Sequence, residues 1–137
     1  MRLYIDANPL IYAFEGEPAL KNAALAWLRH ARFDPAIRLL TSRLTRLEVR
    51  CKPISTGDLE LLAHYDRLLE SRAIETVSLT DSILEAATLL RARKAGAADA
   101  IHIATAIETG CDTILTKDRD WKRFFHGRVA VLGVDVP

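Results

Sequence analysis

Cysteine is nearly absent from this chain of 137 residues: Cys51 and Cys111 stand alone, with no Cys-x-x-Cys pair and no Cys/His spacing. That argues against zinc and leaves free thiols in a reducing compartment as the expectation. No apolar run approaches the length of a membrane span. The start, Met1-Arg2 and then a strand ending in a charge, has no signal-peptide apolar region. A cytoplasmic location is expected. Charge of one sign is also missing in excess, since 19 Lys and Arg face 18 Asp and Glu for a net +1. No global basic field therefore marks a nucleic-acid binder, and any such attraction has to come from local patches. Repeats, low-complexity segments and linkers are absent too. What remains, 50% hydrophobic and 27% charged, is enough for one ordinary globular domain over residues 1–137.

The chain alternates strand and helix signals. Arg2 to Ile5 reads as a buried strand, after which Asn8 is expected to cap a helix with Pro9 at its first position. A helix follows over about Pro18–His30, broken by Asp34-Pro35, and then a strand over Ile37–Thr41. Leu44–Lys52 reads as a short helix stopped by Pro53, because the residue before proline avoids helical geometry. Ser55-Thr56-Gly57-Asp58 introduces an amphipathic helix to about Ser71. Ile74–Leu79 is a strand, and Thr80-Asp81 caps a helix that Gly96 should end. Ala98–Thr109 is a further helix closed by Gly110; Thr113–Leu115 and Val129–Val134 are the last strands. This alternation predicts one α/β domain with a mainly parallel sheet.

Four acids stand at the heads or tails of these elements: Asp6, Glu48, Asp99 and Asp118. Each has an ordinary explanation taken singly. Asp6 and Asp118 fit turns, Asp99 suits a first helical turn, and Glu48 can pair with Lys52. Together they fit less easily, because three have apolar neighbours where an unpaired charge is costly. In an open parallel sheet, ligands bind beyond the carboxyl ends of the strands. Asp6 and Asp118 follow strands and should share that edge, with Glu48 one to two turns into a helix leaving it. Strand–helix alternation does not place Asp99, since two consecutive helices precede Thr113. Gathered carboxylates raise each other's pKa unless a cation sits among them, and hard oxygen donors suit Mg²⁺ or Mn²⁺. Such sites hydrolyse phosphate esters, so a metal-dependent nuclease is the leading reading.

The segments holding these acids resemble, in order, the motifs of the PIN domain, and more narrowly of the VapC toxins of toxin–antitoxin pairs. They are Tyr4-Ile5-Asp6-Ala7-Asn8-Pro9-Leu10-Ile11-Tyr12, Ser42-Arg43-Leu44-Thr45-Arg46-Leu47-Glu48, Asp99-Ala100-Ile101-His102-Ile103-Ala104-Thr105-Ala106 and Ile114-Leu115-Thr116-Lys117-Asp118-Arg119-Asp120-Trp121. One departure is Ala97-Ala98 before Asp99, where relatives often carry Leu-Pro. The resemblance implies an α/β/α sandwich with a mostly parallel five-stranded sheet, and brings Asp99 into the acidic cluster. It implies an endoribonuclease using one or two Mg²⁺ or Mn²⁺ ions and leaving a 3′-hydroxyl and a 5′-phosphate. By position, Asp6, Glu48, Asp99 and Asp118 would be the catalytic metal ligands, Asp120 a fifth candidate, and Asn8 and Thr116 supporting hydrogen-bonding residues. An antitoxin partner, gripped by a clip of helices 44–52 and 56–71, and a homodimer are likewise implied.

Other features have competing explanations. His102 lies on the Asp99 face of its helix and reads as a packed histidine beside the site rather than a ligand. Arg43, Arg46 and Arg50 form a stripe nearly opposite Glu48, which suits a solvated or partner-binding face. Lys117, Arg119, Lys122, Arg123 and Arg128, interleaved with Trp121, Phe124 and Phe125, suit RNA phosphate steering and a bland helix with a buried aromatic face equally. A response-regulator receiver would need an acidic pair after the first strand, where this chain has Asp6 alone, and a phosphorylated Asp after the third. A haloacid-dehalogenase phosphatase would need Asp-x-Asp where it has Asp6-Ala7-Asn8. A PIN-like module without catalysis is disfavoured by retention of all four acids, and an RNA-processing or quality-control nuclease is the runner-up to a toxin.

Overall fold

A computed structural model describes all residues 1–137. The strands β1 (Arg2–Ile5), β2 (Arg38–Ser42), β3 (Glu75–Val77), β4 (Thr113–Thr116) and β5 (Arg128–Val131) form one sheet in the order β3-β2-β1-β4-β5. Every neighbouring pair is parallel, with Tyr4 level with Leu40 on one side and Ile114 on the other. Both faces are therefore covered, as parallel sheets require, and the strands read as near-continuous apolar runs. The chain moves outward from β1 to β2 and β3, then returns to the other side of β1 for β4 and β5. The order reverses between β1 and β4, which opens a crevice at their carboxyl ends.

Six helices supply the two outer layers: α1 (Ala7–Glu15), α2 (Pro18–Phe33), α3 (Arg43–Thr56), α4 (Leu59–Glu70), α5 (Asp81–Ala92) and α6 (Ala97–Glu108). Successive side chains of a strand face opposite ways. Leu3, Ile5, Leu39, Leu115 and Ala130 accordingly meet α1 and α2 through Leu10, Ala24 and Trp27, and α3 and α4 through Val49 and Tyr65. Tyr4, Leu40, Ile114, Val129 and Val131 meet α5 and α6 through Ile83, Ala87, Ile103 and Ala104, with Trp121, Phe124 and Phe125 closing the same layer. Arg119–Arg123 is a 3₁₀ turn rather than a longer helix.

Three expected boundaries move. Asn8 is not the cap of α1; Asp6 is, in extended geometry, with its carboxylate accepting from the Ala7 N–H at 2.8 Å. Asn8 then falls in the first turn, exposed, and Pro9 at the third helical position. Pro53 does not stop α3. Being buried in the last turn, it forfeits one intrahelical bond, and the helix closes at Gly57, whose φ of 71° is the left-handed conformation suited to glycine. Gly96 does not end α5 either. That helix stops at Ala92, Lys94 takes a left-handed φ of 77°, and Ala95 returns to the core. Gly96 instead opens α6, three residues before Asp99.

Candidate active site

The carboxyl edge of the sheet collects three of the acids because each follows or leaves a strand there. Asp6 comes directly after β1, Glu48 lies in α3 behind β2, and Asp118 follows β4. Asp99 arrives from the first turn of α6, which packs under β2 and over Tyr4 of β1. The geometry thus supplies the placement that alternation alone left open.

Asp6 is the anchor, only 5% exposed. One oxygen accepts from the Ala7 N–H, the other from the Thr116 hydroxyl at 3.0 Å, and its own N–H donates to the Leu115 carbonyl. Burial pushes its carboxyl above the ordinary range; the His102 ring, Thr116 and the Ala7 amide oppose that rise, and Glu48 adds to it. Thr116 also accepts from the Asp118 N–H at 3.2 Å, so a single hydroxyl ties two of the acids together. Asp118 in turn accepts from the Asp120 N–H at 2.8 Å, and both residues are exposed. Asp99 is half-buried. Burial first, then the charge of Asp118, raise its carboxyl above the usual value, with His102 and Trp121 opposing and Glu48 reinforcing. The Trp121 indole N–H is buried without an acceptor in hydrogen-bond geometry. It nevertheless stands close enough to Asp99 to favour the charged carboxylate.

His102 lies inside the cluster. It is 1% exposed, with Nε2 2.5 Å from Glu48 Oε1 and 3.5 Å from Asp6 Oδ1, and Nδ1 2.6 Å from the Tyr4 hydroxyl. Burial on its own would lower the ring's pKa. The Glu48 hydrogen bond and the charges of Asp6, Glu48 and Asp99 outweigh that and raise it. The expected packed histidine is indeed packed, but it also bonds Glu48. Its sequence position three after Asp99 was visible; its link to Tyr4, 98 residues away, was not. Trp121 likewise carried no signal of its nearness to Asp99.

The remaining candidates are more peripheral. The Asn8 side chain is exposed and makes no hydrogen bond to the acids. Lys117, Arg119, Lys122 and Arg123 are exposed beside Asp118, whereas Trp121, Phe124 and Phe125 are core. Arg93 and Arg123 both lie over the Phe124 ring, at 5.2 and 5.0 Å. In the arginine stripe, Arg50 meets Asp66 at 2.8 Å, and Arg46 lies 3.5 Å from Asp66 and from Glu70, so it clasps α3 to α4. Beside it a groove of about 680 Å³ runs past Arg43, Leu44, Leu47, Cys51, Ile54 and Leu79.

The donor set is four carboxylates and one imidazole, with no thiolate. No three of these groups converge on one point at ligand distance, and Glu48 is held by His102. Magnesium tolerates that spacing, because it retains several waters and takes only one or two carboxylates directly. Burial first, and neighbouring carboxylates after it, disfavour the charged forms of Asp6 and Asp99, and a divalent cation bound among them would favour those charged forms.

A parallel α/β domain with acids converging on its switch-point edge defines a class, and the sequence matches the profile of that class, the PIN domain, over residues 3–125. The chain belongs to the PIN domain family. Its fold is that of solved VapC-type structures. VapBC2 from Rickettsia felis, solved with a DNA fragment from its promoter, is 17% identical, with a TM-score of 0.77 over 94% of this chain and 97% of that one. A toxin–antitoxin complex from Klebsiella pneumoniae is 22% identical, with a TM-score of 0.69 over 89% and 92%. VapC20 of Mycobacterium tuberculosis, described as a sarcin-ricin loop cleaving toxin, is 15% identical, with a TM-score of 0.72 over 88% and 93%. A comparison with curated protein sequences found no match.

Proposed function

We propose that this chain is a divalent-metal-dependent endoribonuclease acting as the toxin of a toxin–antitoxin pair. The observation that carries the reading is the arrival of Asp6, Glu48, Asp99 and Asp118 from four separate elements at the carboxyl edge of a PIN-fold sheet. Asp6, Glu48, Asp99 and Asp118 would hold Mg²⁺ or Mn²⁺ directly or through water, with Asp120 adjacent. When bound, the ion supplies a more acidic water and neutralises charge on the phosphate and the leaving 3′ oxygen. The protein's own part is positional. Thr116 holds Asp6 and the Asp118 backbone in register, and Ala7 fixes the second Asp6 oxygen. Asn8 sits exposed at the rim, where a hydrogen bond to attacking water or substrate is open to it. Lys117, Arg119, Lys122 and Arg123 offer exposed cations for RNA phosphates next to Asp118.

The partner reading follows from the α3–α4 pair. Leu47, Ile54 and Leu59 are large apolar side chains left exposed there, and the groove beside the arginine stripe fits an amphipathic antitoxin segment. The neighbouring toxin–antitoxin structures support that partner class, and a homodimer in the cytoplasm completes the reading. No helix is long and apolar enough to cross a membrane.

The test is incubation of the purified protein with total RNA in Mg²⁺ or Mn²⁺, with EDTA and Asp6→Asn controls and end mapping. Discrete metal-dependent cuts bearing 5′-phosphates, lost in the variant, are expected. Cleavage that persists undiminished in Asp6→Asn, or in EDTA, would refute the assignment.

A further inference from the structure

The hydrogen bonds of His102 are unusual for a residue that only fills space. A buried histidine commonly satisfies a ring nitrogen on a backbone carbonyl or water. Here neither nitrogen meets backbone; Nδ1 meets the Tyr4 hydroxyl, and Nε2 meets the site carboxylates. Carboxylates of this kind only accept, so Nε2 carries the hydrogen and donates it. His102 is also the one hydrogen-bond partner of the Glu48 side chain, whereas Asp6 has Thr116 and a backbone amide besides. Without that donor, Glu48 would be a partly solvated side chain free to change rotamer on the surface of α3.

The ring itself is held on three sides. Tyr4 is fully buried and bonds it from β1, meeting the ring edge-on at a centroid distance of 5.9 Å. Trp121 stacks against it at 6.1 Å and 24°. The third constraint is its own helix, α6, which brings it one turn beyond Asp99. Tyr4 thus faces the opposite side of β1 from Leu3 and Ile5, yet touches the same site that Asp6 serves at the strand's end.

We propose that Tyr4 and His102 are a positioning pair that fixes the Glu48 carboxylate, and secondarily that of Asp6, in the orientation needed to receive the divalent cation. This inference rests on the nuclease reading above. Groups that orient ligating carboxylates from behind typically change metal affinity or activity by about 10- to 100-fold when removed.

The experiment uses the full chain and Mn²⁺ alone as the probe. Its dissociation constant is measured by calorimetry in the absence of RNA for wild type, Tyr4→Phe, His102→Gln and His102→Phe. Circular dichroism establishes that each is folded. Tyr4→Phe deletes one oxygen and keeps the ring, so it holds the test open even if a His102 variant fails to fold. Tyr4→Phe is expected to bind Mn²⁺ about tenfold more weakly. On the RNA cleaved by wild type, it should lose kcat with KM unchanged. His102→Gln keeps an N–H donor and should retain more affinity than His102→Phe. Wild-type affinity in folded Tyr4→Phe would overturn the pair, and so would equal losses in His102→Gln and His102→Phe. Tighter Mn²⁺ binding in the variants would make His102 a competitor for Glu48, and would overturn it too. A wild type that neither binds Mn²⁺ nor cuts RNA sinks the nuclease reading together with this one, an outcome visible before any variant is made.

Discussion

Replacing Thr116 with valine removes a single oxygen from a fully buried position and keeps the β-branched shape that β4 favours. The lost hydroxyl donates to Asp6 at 3.0 Å and accepts from the Asp118 N–H at 3.2 Å. A hydrogen bond to a charged group contributes about 1.5–3 kcal/mol. The freed Asp118 amide lies at the exposed edge, where water replaces the bond, so the whole cost is taken as about 2 kcal/mol. A chain of 137 residues unfolds with an entropy of about 0.29 kcal/mol/K, which makes the expected fall in melting temperature about 7 °C. The assay is thermal unfolding in EDTA, followed by RNA cleavage in Mn²⁺. Thr116→Ser retains the hydroxyl and should recover most of both. Cleavage by Thr116→Val should fall at least about tenfold, as for removal of other groups that hold ligating carboxylates. A valine variant that melts and cuts like wild type would refute the claim that this hydroxyl organises the acids.

Asp99→Asn should abolish cleavage while leaving metal-free melting unchanged or higher, since it removes a charge that Asp118 and Glu48 repel; cleavage at the wild-type rate would take Asp99 out of the site. Mg²⁺ at a hundred times its dissociation constant should add about 2.7 kcal/mol to the folded state, measurable as a melting rise of about 9 °C that Asp6→Asn lacks. No rise at millimolar Mg²⁺ would count against the pocket. Tyr65 donates to Glu15, and burial first, then that carboxylate, raise its hydroxyl above the ordinary value of 10.0. Its stabilising contribution is therefore fully present below about pH 10 and fades as pH climbs from there towards the raised folded value, with Tyr4 acting in the same direction. Tyr65→Phe should cost about 1.5 kcal/mol at neutral pH and flatten the alkaline loss of stability in urea titrations. Parallel curves for the two proteins would show that this hydroxyl does not govern the slope.

The layers of the fold were legible because its signals are local. Apolar β-branched runs, Asp34-Pro35, Thr80-Asp81 and Gly110 each act within a few residues, and they led to five strands and six helices in order. The misplaced boundaries come from tertiary context. Burial of Pro53 and the left-handed Gly57 carry α3 past its apparent stop, and the return of Ala95 to the core lets Lys94 end the α5 segment instead of Gly96. Asp6, Glu48 and Asp118 were placeable from strand ends. Asp99 was not, because α5 and α6 run consecutively and only their packing decides which edge α6 begins on. The Tyr4–His102 bond joins residues 98 apart on different layers, and no periodicity in either segment encodes it.

Asp6 has two occupations at once. Its carboxylate is the cap that starts α1 as well as a member of the acidic cluster. Asparagine caps helices about as well as aspartate, whereas alanine costs about 1 kcal/mol at such a position. Aspartate and asparagine codons differ by one base. Under the proposed toxin reading, a cell could therefore silence the protein with a single transition and still make a folded chain, one able to occupy its antitoxin. The same economy recommends Asp6→Asn over Asp6→Ala for trapping uncut RNA.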